Sequence, residues 1–514
     1  MTSFGQIIKE IGEFGLFQKR LLFALCLPSI FASFDVIGQV FTGMYFPHHC
    51  NTDWILERGP NLTEEKQKNL TLPVNEDGSF ESCKMFTPVD LDLETIEAYG
   101  INSTTGCTDG WDYDTHKGAS STATEFDLVC DRSGLIQISQ SVYMSGFLVG
   151  AVACGAVNDR FGRRFSIIFY LSLLMLFGVS CAFAPNIYVL MVFKFFRGAT
   201  GGVTVMNTSV MGVEWTDPSK AAICTEVICM CFSVGLLILS GIAHLVPDWR
   251  TLELVLFCPL VILVGLFYRF LPESARWLLA TGRKEEARKQ LQRAARINGR
   301  TFPEEQFEKL EIEDMEKRKN MLDIIKIPYL RKQTSILCYN WFSVSLLYYG
   351  LSLNVGDFGL NIYLTQFIFG LVEFPANMFA LFLLLRVGRR IPQAGFMSFA
   401  GATCLLTLAV PKDLPVVVTI IAVLGKGAAT ASFSTAYIYS AELYPTVLRQ
   451  NGVGLNSMFA RVAGISAPLI RLLEVYHYSI PMVIYGTIPI VAGGFCLLLP
   501  ETRNVELQDH AEIQ

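Results

Sequence analysis

The chain has 514 residues, of which 52% are apolar and only 17% charged, with a net charge of −5 and a mean hydropathy of +0.41. An ordinary soluble domain carries about 25% charged residues, and 38 phenylalanines exceed what a water-facing surface accommodates. These figures exclude a disordered chain, a collagen-like fibre, a typical water-soluble enzyme and a nucleic-acid-binding protein. They leave a polytopic all-α protein of the lipid bilayer, in which twelve helices of about 20 residues would use roughly half the chain.

Apolar stretches of spanning length are predicted at 21–44, 135–157, 165–184, 187–209, 219–245, 250–271, 334–355, 358–386, 392–410, 414–438, 451–473 and 479–499. The first is too long for the apolar region of a secretory signal, and no small-residue cleavage site precedes the acidic loop, so it reads as an uncleaved signal anchor. Lys19 and Arg20 precede span one, Arg160, Arg163 and Arg164 follow span two, and Arg389 and Arg390 follow span eight. All fall on one side if both termini are cytosolic, as the positive-inside rule requires. The basic segment 272–333, with Arg283, Lys284, Arg288, Lys289, Arg293, Arg296 and Arg300 among glutamates, lies on that side and begins as an amphipathic helical linker.

The loop 45–134 falls on the opposite side and is acidic. It holds Cys50, Cys83, Cys107 and Cys130, which in an exported loop predict two disulfides with three possible connectivities. Zinc binding with His48 and His49 competes poorly, because neither a CxxC pair nor an HxxxH spacing is present. Glycan acceptor sequences stand at Asn61, Asn69 and Asn102, while the one at Asn207 falls inside a span.

The chain is also duplicated. Gly155-Ala-Val-Asn-Asp159-Arg160-Phe-Gly162-Arg163-Arg164 after span two matches Arg386-Val-Gly388-Arg389-Arg390 after span eight. Glu214-Trp215 matches Glu442-Leu443, and Pro272-Glu273-Ser274 matches Pro500-Glu501-Thr502. All three recur at an offset of 226 to 228 positions (162 to 388, 214 to 442, 272 to 500). Two six-helix halves in the same orientation imply an axis along the membrane normal and a cavity where the halves meet, which is transporter architecture. The chain divides accordingly into 1–44 (cytosolic N-terminus and span one), 45–134 (external loop), 135–271 (spans two to six), 272–333 (linker), 334–499 (spans seven to twelve) and 500–514 (cytosolic tail).

Gly155 through Arg164 resemble the first intracellular motif of the major facilitator superfamily. Pro272-Glu-Ser-Ala-Arg-Trp-Leu278, Glu442-Leu-Tyr-Pro445 with Arg449, Pro500-Glu-Thr502, His48-His49-Cys50 and Tyr348-Tyr349-Gly350-Leu351-Ser352-Leu353 resemble its organic-ion transporter family, over essentially the whole chain. Val355-Gly-Asp-Phe-Gly-Leu360 and Asp413-Leu-Pro-Val-Val-Val-Thr419 are similar to the nicotinate- and urate-exchanging organic anion transporters. The resemblance implies a major facilitator fold, a plasma-membrane exchanger of small organic ions acting as a monomer, and disulfides Cys50–Cys107 and Cys83–Cys130. With no GxxxxGK[ST], HExxH or GxSxG in the sequence, no nucleotide-powered or hydrolytic chemistry is indicated, and no cofactor or metal is expected.

Ionisable residues inside the spans are the informative ones. Arg461, ten residues into span eleven, falls near mid-depth at about 1.5 Å per residue, where a guanidinium costs about 3 kcal/mol unless it meets water or a partner. It reads either as a carboxylate-binding fork or as half of an ion pair with Glu373 or Glu226. The resemblance favours the former, because organic anion transporters carry Arg at this place. They also carry Lys or Arg where this chain has Asn377, so one positive charge is missing here while Asp35 and Glu226 add possible negative ones. Monovalent, zwitterionic or neutral substrates gain from that exchange. Arg471, ten residues further on, reads as a snorkelling interface residue.

Tyr348, Tyr349, Phe433 and Tyr437, with Trp341, match positions at which the family lines its cavity, and Phe433 and Tyr437 share a helix face. Lys426 is matched as a further buried charge, for coupling, structural pairing or substrate contact. Gly155, Asp159, Arg160, Gly162, Arg163, Arg164, Glu214, Glu442 and Arg449 form the implied gate. In it Asp159 sits at the N-terminus of a neighbouring helix, and Arg160 and Arg163 pair with acidic groups such as Glu214. The rival readings are a cation or zwitterion carrier using Asp35 or Glu226, and a transport-dead receptor on the same fold; a channel fits the twofold repeat less well.

Overall fold

Ten helices of the computed structural model are long and apolar enough to cross a bilayer among the described residues, which are 4–116, 118–310, 321–444 and 449–502. They include α1 (Leu16–Ile37), α2 (Leu135–Phe161), α3 (Arg163–Cys181), α4 (Ile187–Glu214), α5 (Pro218–Leu245) and α6 (Trp249–Phe270). The second series has α7 (Pro328–Leu353), α8 (Ile362–Arg386), α9 (Arg390–Ala409) and α10 (Pro415–Leu443). Two further helices complete twelve: α11 (Arg449–Arg471), long enough but rich in polar residues, and α12 (Ile480–Cys496), apolar but 17 residues long. Successive helices reverse direction, so the ends of α2, α4 and α6 return to the side on which the chain enters α1. That side is called the near side below, and the other the far side.

The chain forms two units, one of which is the long loop, Phe41–Ile136 with Pro247–Trp249, and the other the helical remainder. α1 starts at Leu16, ahead of the expected position 21, because two polar residues hold its first turn. Gln18 accepts from the Gly15 N–H at 3.2 Å, and Asn298 accepts from the Phe17 N–H at 2.8 Å. Asn298 closes the linker helix Lys284–Ile297, whose buried Ala287, Leu291, Ala294 and Ala295 make one apolar stripe at helical spacing. α2 and α4 pack at contact distance because their facing residues lack side chains. A Cβ on Gly146, Gly150 or Gly198 would overlap the carbonyl of Phe195, Ala199 or Tyr143, the small-residue packing usual in membranes. Asn207, an acceptor sequence that the sequence places inside a span, is buried in α4 and accepts from the Asn158 side chain at 3.1 Å.

In the loop unit, β1 (His48–Cys50) pairs antiparallel with a strand at Trp111–Tyr113, and Lys84–Phe86 pairs with Thr104–Gly106. Disulfides join Cys50 to Cys107 and Cys83 to Cys130, the pairing that the resemblance implies. The His48 ring approaches the second disulfide, whose sulfurs are already spent on each other. Asn61, Asn69 and Asn102 are exposed.

Candidate functional site

Two matching clasps close the near ends of the halves. In the first, Gly162 (φ +92°) turns the chain between α2 and α3, and a Cβ there would lie 2.6 Å from Glu273 Oε2. Only glycine therefore lets the start of α3 approach that carboxylate. Glu273 accepts from the N–H groups of Arg163 (3.1 Å) and Arg164 (3.3 Å), as a carboxylate at a helix N-terminus should. Burial pushes the Glu273 carboxyl up, and these N–H donors draw it back. Arg163 pairs with Glu214 at 2.9 Å, and Glu214 accepts from the Ser274 hydroxyl. The second clasp repeats each part: Gly388 (φ +114°), Glu501 on the Arg389 N–H (2.9 Å) and Arg390 N–H (3.3 Å), Arg389 with Glu442 at 3.1 Å, and Thr502 on Glu442.

The expected gate roles change in three respects. Glu273, not Asp159, occupies the helix N-terminus. Asp159 is mostly exposed and reaches Arg163 at 3.6 Å. Arg160 lies over the Phe161 ring at 5.4 Å with no acidic partner among the described residues. Arg164 instead donates to the carbonyls of Leu271 (3.0 Å) and Tyr268. Gly155 is exposed with open space around it, and the Arg449 side chain lies outside the described residues. Each clasp joins helices of one half, and neither crosses between halves.

Arg197, Lys426 and Arg471 of the spans are each paired with a carboxylate. Arg197 of α4 is buried between Asp35 of α1 (2.9 Å) and Glu253 of α6 (2.8 Å). Tyr143 donates to Asp35, and Lys194 donates to Gln39. Asp35 is thus committed to a salt link inside the first half. Lys426 of α10 pairs with Glu373 of α8 at 3.0 Å and donates to Ser352 at 2.8 Å, so Glu373 is its partner and not that of Arg461. Arg471 is no free snorkelling group, since it pairs with Asp357 (2.6 Å) and Glu474 (3.6 Å) at the far end of α11.

Arg461 has no such partner. It stands at the midpoint of α11, partly exposed, with no carboxylate within ion-pair distance among the described residues. Its guanidinium rests on the Phe147 ring of α2 at 4.3 Å, a cation–π contact across the two halves. Beside it, a Cβ on Gly464 would meet Met144 of α2 and Tyr349 of α7 at van der Waals distance. The aromatic wall is continuous. Tyr348 lies 5.5 Å from Tyr349 and 6.0 Å from Phe433, and Trp341 lies 5.9 Å from Phe433 and 6.0 Å from Tyr437. Tyr437 is 49% exposed. Trp341 is buried and donates to Ser440 at 2.7 Å, so it backs the wall behind the more exposed Tyr437. Asn377 accepts from Ser434 at 2.7 Å, which the shorter, neutral amide permits.

The halves touch along α5–α8 and α2–α11. Ser233 donates to Glu373, Ser141 donates to the Ile465 carbonyl at 2.9 Å, and His244 meets Tyr363 at 5.3 Å. These contacts run from mid-depth to the far side. Glu226 is exposed on the same face of α5 as Ser233, two turns closer to the near side. Phe147 and Ser233 carry no mark in the sequence, being ordinary span residues. Lys194, Arg197 and Glu253 could have been found, because each is a charge within an apolar run.

The Major Facilitator Superfamily matches residues 122–507. Solute carrier family 22 member 13 of Homo sapiens is 42% identical over 512 residues, covering 99% of this chain and 92% of that protein. Organic anion transporter 3 of Oryctolagus cuniculus is 34% identical over 522 residues, covering 99% and 93%. The inward-open xylose transporter XylE from E. coli aligns with a TM-score of 0.60 at 14% identity, over 95% of this chain and 97% of its own, a likeness of fold. Twelve spans, a duplicated clasp and these relatives define a multi-pass membrane transporter and not an enzyme: the chain belongs to solute carrier family 22 of the Major Facilitator Superfamily.

Proposed function

We propose that the protein carries small organic anions, aromatic or short monocarboxylates, across the plasma membrane by alternating access, exchanging them for anions from the other side. One observation carries this reading: Arg461 has no counter-charge within ion-pair distance among the described residues, at mid-depth and beside an aromatic wall. A carboxylate supplies the missing charge to the guanidinium fork, and Tyr348, Tyr349, Phe433 and Tyr437 take its apolar body by ring contact. Substrate on Arg461 competes with Phe147 for the same cation, which ties occupancy to the contact between halves. The two clasps keep each half stiff as they rock. In this assignment both termini are cytosolic, 45–134 is external and glycosylated, 272–333 is the linker between halves 1–271 and 334–499, and the carrier works as a monomer.

Expressing cells tested with nicotinate, carnitine and tetraethylammonium decide the substrate class, and preloading with unlabelled anion decides exchange. The expected result is saturable nicotinate uptake that preloading accelerates. Uptake of tetraethylammonium alone would overturn the assignment. A zwitterion is the second reading, because the exposed Glu226 has no partner among the described residues; it predicts carnitine uptake that Glu226→Gln abolishes.

A further inference from the structure

A groove of about 530 Å³ runs up the near half of α7 and α11, with the short helix Met321–Lys326 at its near end. Arg331, Ser335, Cys338 and Phe342 of α7 line one wall, at a spacing that puts them on one helix face. Leu455, Phe459 and Val462 of α11 line the other in the same way. Beneath the groove the two helices are in contact: Cys338 donates to the Asn456 side chain at 3.1 Å, and Ser345 donates to the Ala460 carbonyl at 2.7 Å. The groove is separate from the substrate site, because Arg461 departs from the Leu455, Phe459 and Val462 face by about 100° or more at 3.6 residues per turn. Its walls are apolar and open, Ile325, Phe459 and Val462 being 55%, 42% and 41% exposed. The short helix ahead of each half's first span differs here: Phe4–Ile11 buries three isoleucines, whereas Met321–Lys326 buries Ile324 and leaves Ile325 open at the groove. From Arg331 to Phe342 the groove is about 16 Å long at 1.5 Å per residue, the depth of one leaflet in a hydrocarbon core about 30 Å thick. Its charge lies at the near end, where Arg331 is exposed with no carboxylate within ion-pair distance among the described residues.

We propose that this groove binds one anionic phospholipid of the near leaflet, with its phosphate on Arg331 and one acyl chain laid between α7 and α11. The guanidinium fork takes two phosphate oxygens at once, and the exposed Lys326 and Lys332 add to the attraction of that end for anionic lipid. An acyl chain strands no hydroxyl as it enters, because Ser335 already donates to the Arg331 carbonyl at 2.8 Å and Tyr339 to the Ile488 carbonyl at 3.4 Å. Positive-inside charge explains cations at this depth, but it draws anionic lipid to every such helix end alike. A concave wall one leaflet deep beneath a single arginine holds one lipid in one place. The site is independent of what the carrier transports, and the lipid in it is bound, not carried.

The test uses the purified full-length protein in neutral detergent micelles, with a phosphatidylserine probe that carries a photoreactive diazirine in one acyl chain, and maps the labelled peptides by mass spectrometry. Labelling is expected on the two groove walls, at Cys338 to Phe342 and at Leu455 to Val462. Plain phosphatidylserine should compete at about fivefold lower amounts than phosphatidylcholine with the same chains, the effect of one cation near the headgroup. Arg331→Gln, which removes an exposed side chain and breaks no ion pair among the described residues, should abolish that preference. Lys332→Gln, an equal loss of charge outside the lining, should keep it, and Ser335→Trp, which narrows the mouth, should lose the groove labelling itself. Labelling spread evenly over other spans, a preference that survives Arg331→Gln, or one lost as fully in Lys332→Gln overturns the inference. So does competition by cholesterol and by neither phospholipid, which would make the groove a sterol site.

Discussion

Arg461→Gln separates a substrate-binding cation from a structural one. In the structure the guanidinium lies over the Phe147 ring at 4.3 Å and has no ion-pair partner among the described residues. Removing it therefore leaves no buried carboxylate uncompensated, and fold stability should move by less than about 1 kcal/mol. What is lost is the charge-assisted hydrogen bonding to a substrate carboxylate, about 1.5–3 kcal/mol. That corresponds to binding roughly 10- to 150-fold weaker. Arg461→Lys keeps the charge but not the two-pronged donor geometry and should lose about fivefold. The assay is concentration-dependent nicotinate uptake normalised to surface-biotinylated protein, with thermal unfolding of the purified variants alongside. An unchanged KM in Arg461→Gln, or a collapse of its thermal stability, would refute the assignment of this residue to substrate.

The remaining predictions draw on other contacts. Arg197→Gln strands Asp35 and Glu253, a cost of about 3–5 kcal/mol for breaking a buried charge cluster, and should abolish surface expression in a fluorescence size-exclusion profile. Asn377→Lys places a cation at the proposed site in place of the Ser434 contact and should shift the ratio of glutarate to nicotinate uptake upward by about tenfold, one charge pair in partly wet protein. Gly150→Val would drive a side chain into the Ala199 carbonyl and should destabilise the protein by about 1–3 kcal/mol or more through overpacking, read as a lowered Tm. Cys107→Ser frees Cys50 and should lower the stability of the loop by about 2–4 kcal/mol, read as faster limited proteolysis of intact cells.

Depth was legible in the sequence where rotation was not. Counting along a span places Arg461 and Lys426 near mid-depth, and both lie there, yet one meets an aromatic ring and the other a carboxylate. The difference is set by which way α8 turns Glu373, and the partners are 53 positions apart (373 to 426) on separate helices. The same limit explains Asp35. It reads as a negative group open to substrate until α4 brings Arg197 against it. The duplication, by contrast, was visible because its landmarks are glycines and carboxylates that the turn chemistry demands: Gly162 and Gly388 each sit at positive φ beneath a glutamate. Asp159 was assigned the role of Glu273 because it is adjacent in sequence to the turn, whereas the carboxylate that reaches the N–H groups arrives from 110 residues away (163 to 273). α11 shows why hydropathy alone undercounts: a helix that lines a cavity is polar on the side that faces it.

The quartet of Asp35, Lys194, Arg197 and Glu253 has a consequence for how the protein is made. α4 is synthesised carrying two cations, each costing about 2.5–3.5 kcal/mol at the centre of a bilayer, and Glu253 is translated 56 codons after Arg197 (197 to 253). During that interval Asp35, already delivered on α1, is the sole acidic member of the quartet present to receive them. Biogenesis should accordingly be more sensitive to Asp35→Asn than to Glu253→Gln, even though the finished molecule holds Arg197 with both, because the order of synthesis makes one carboxylate a chaperone for the helix that the other only later secures.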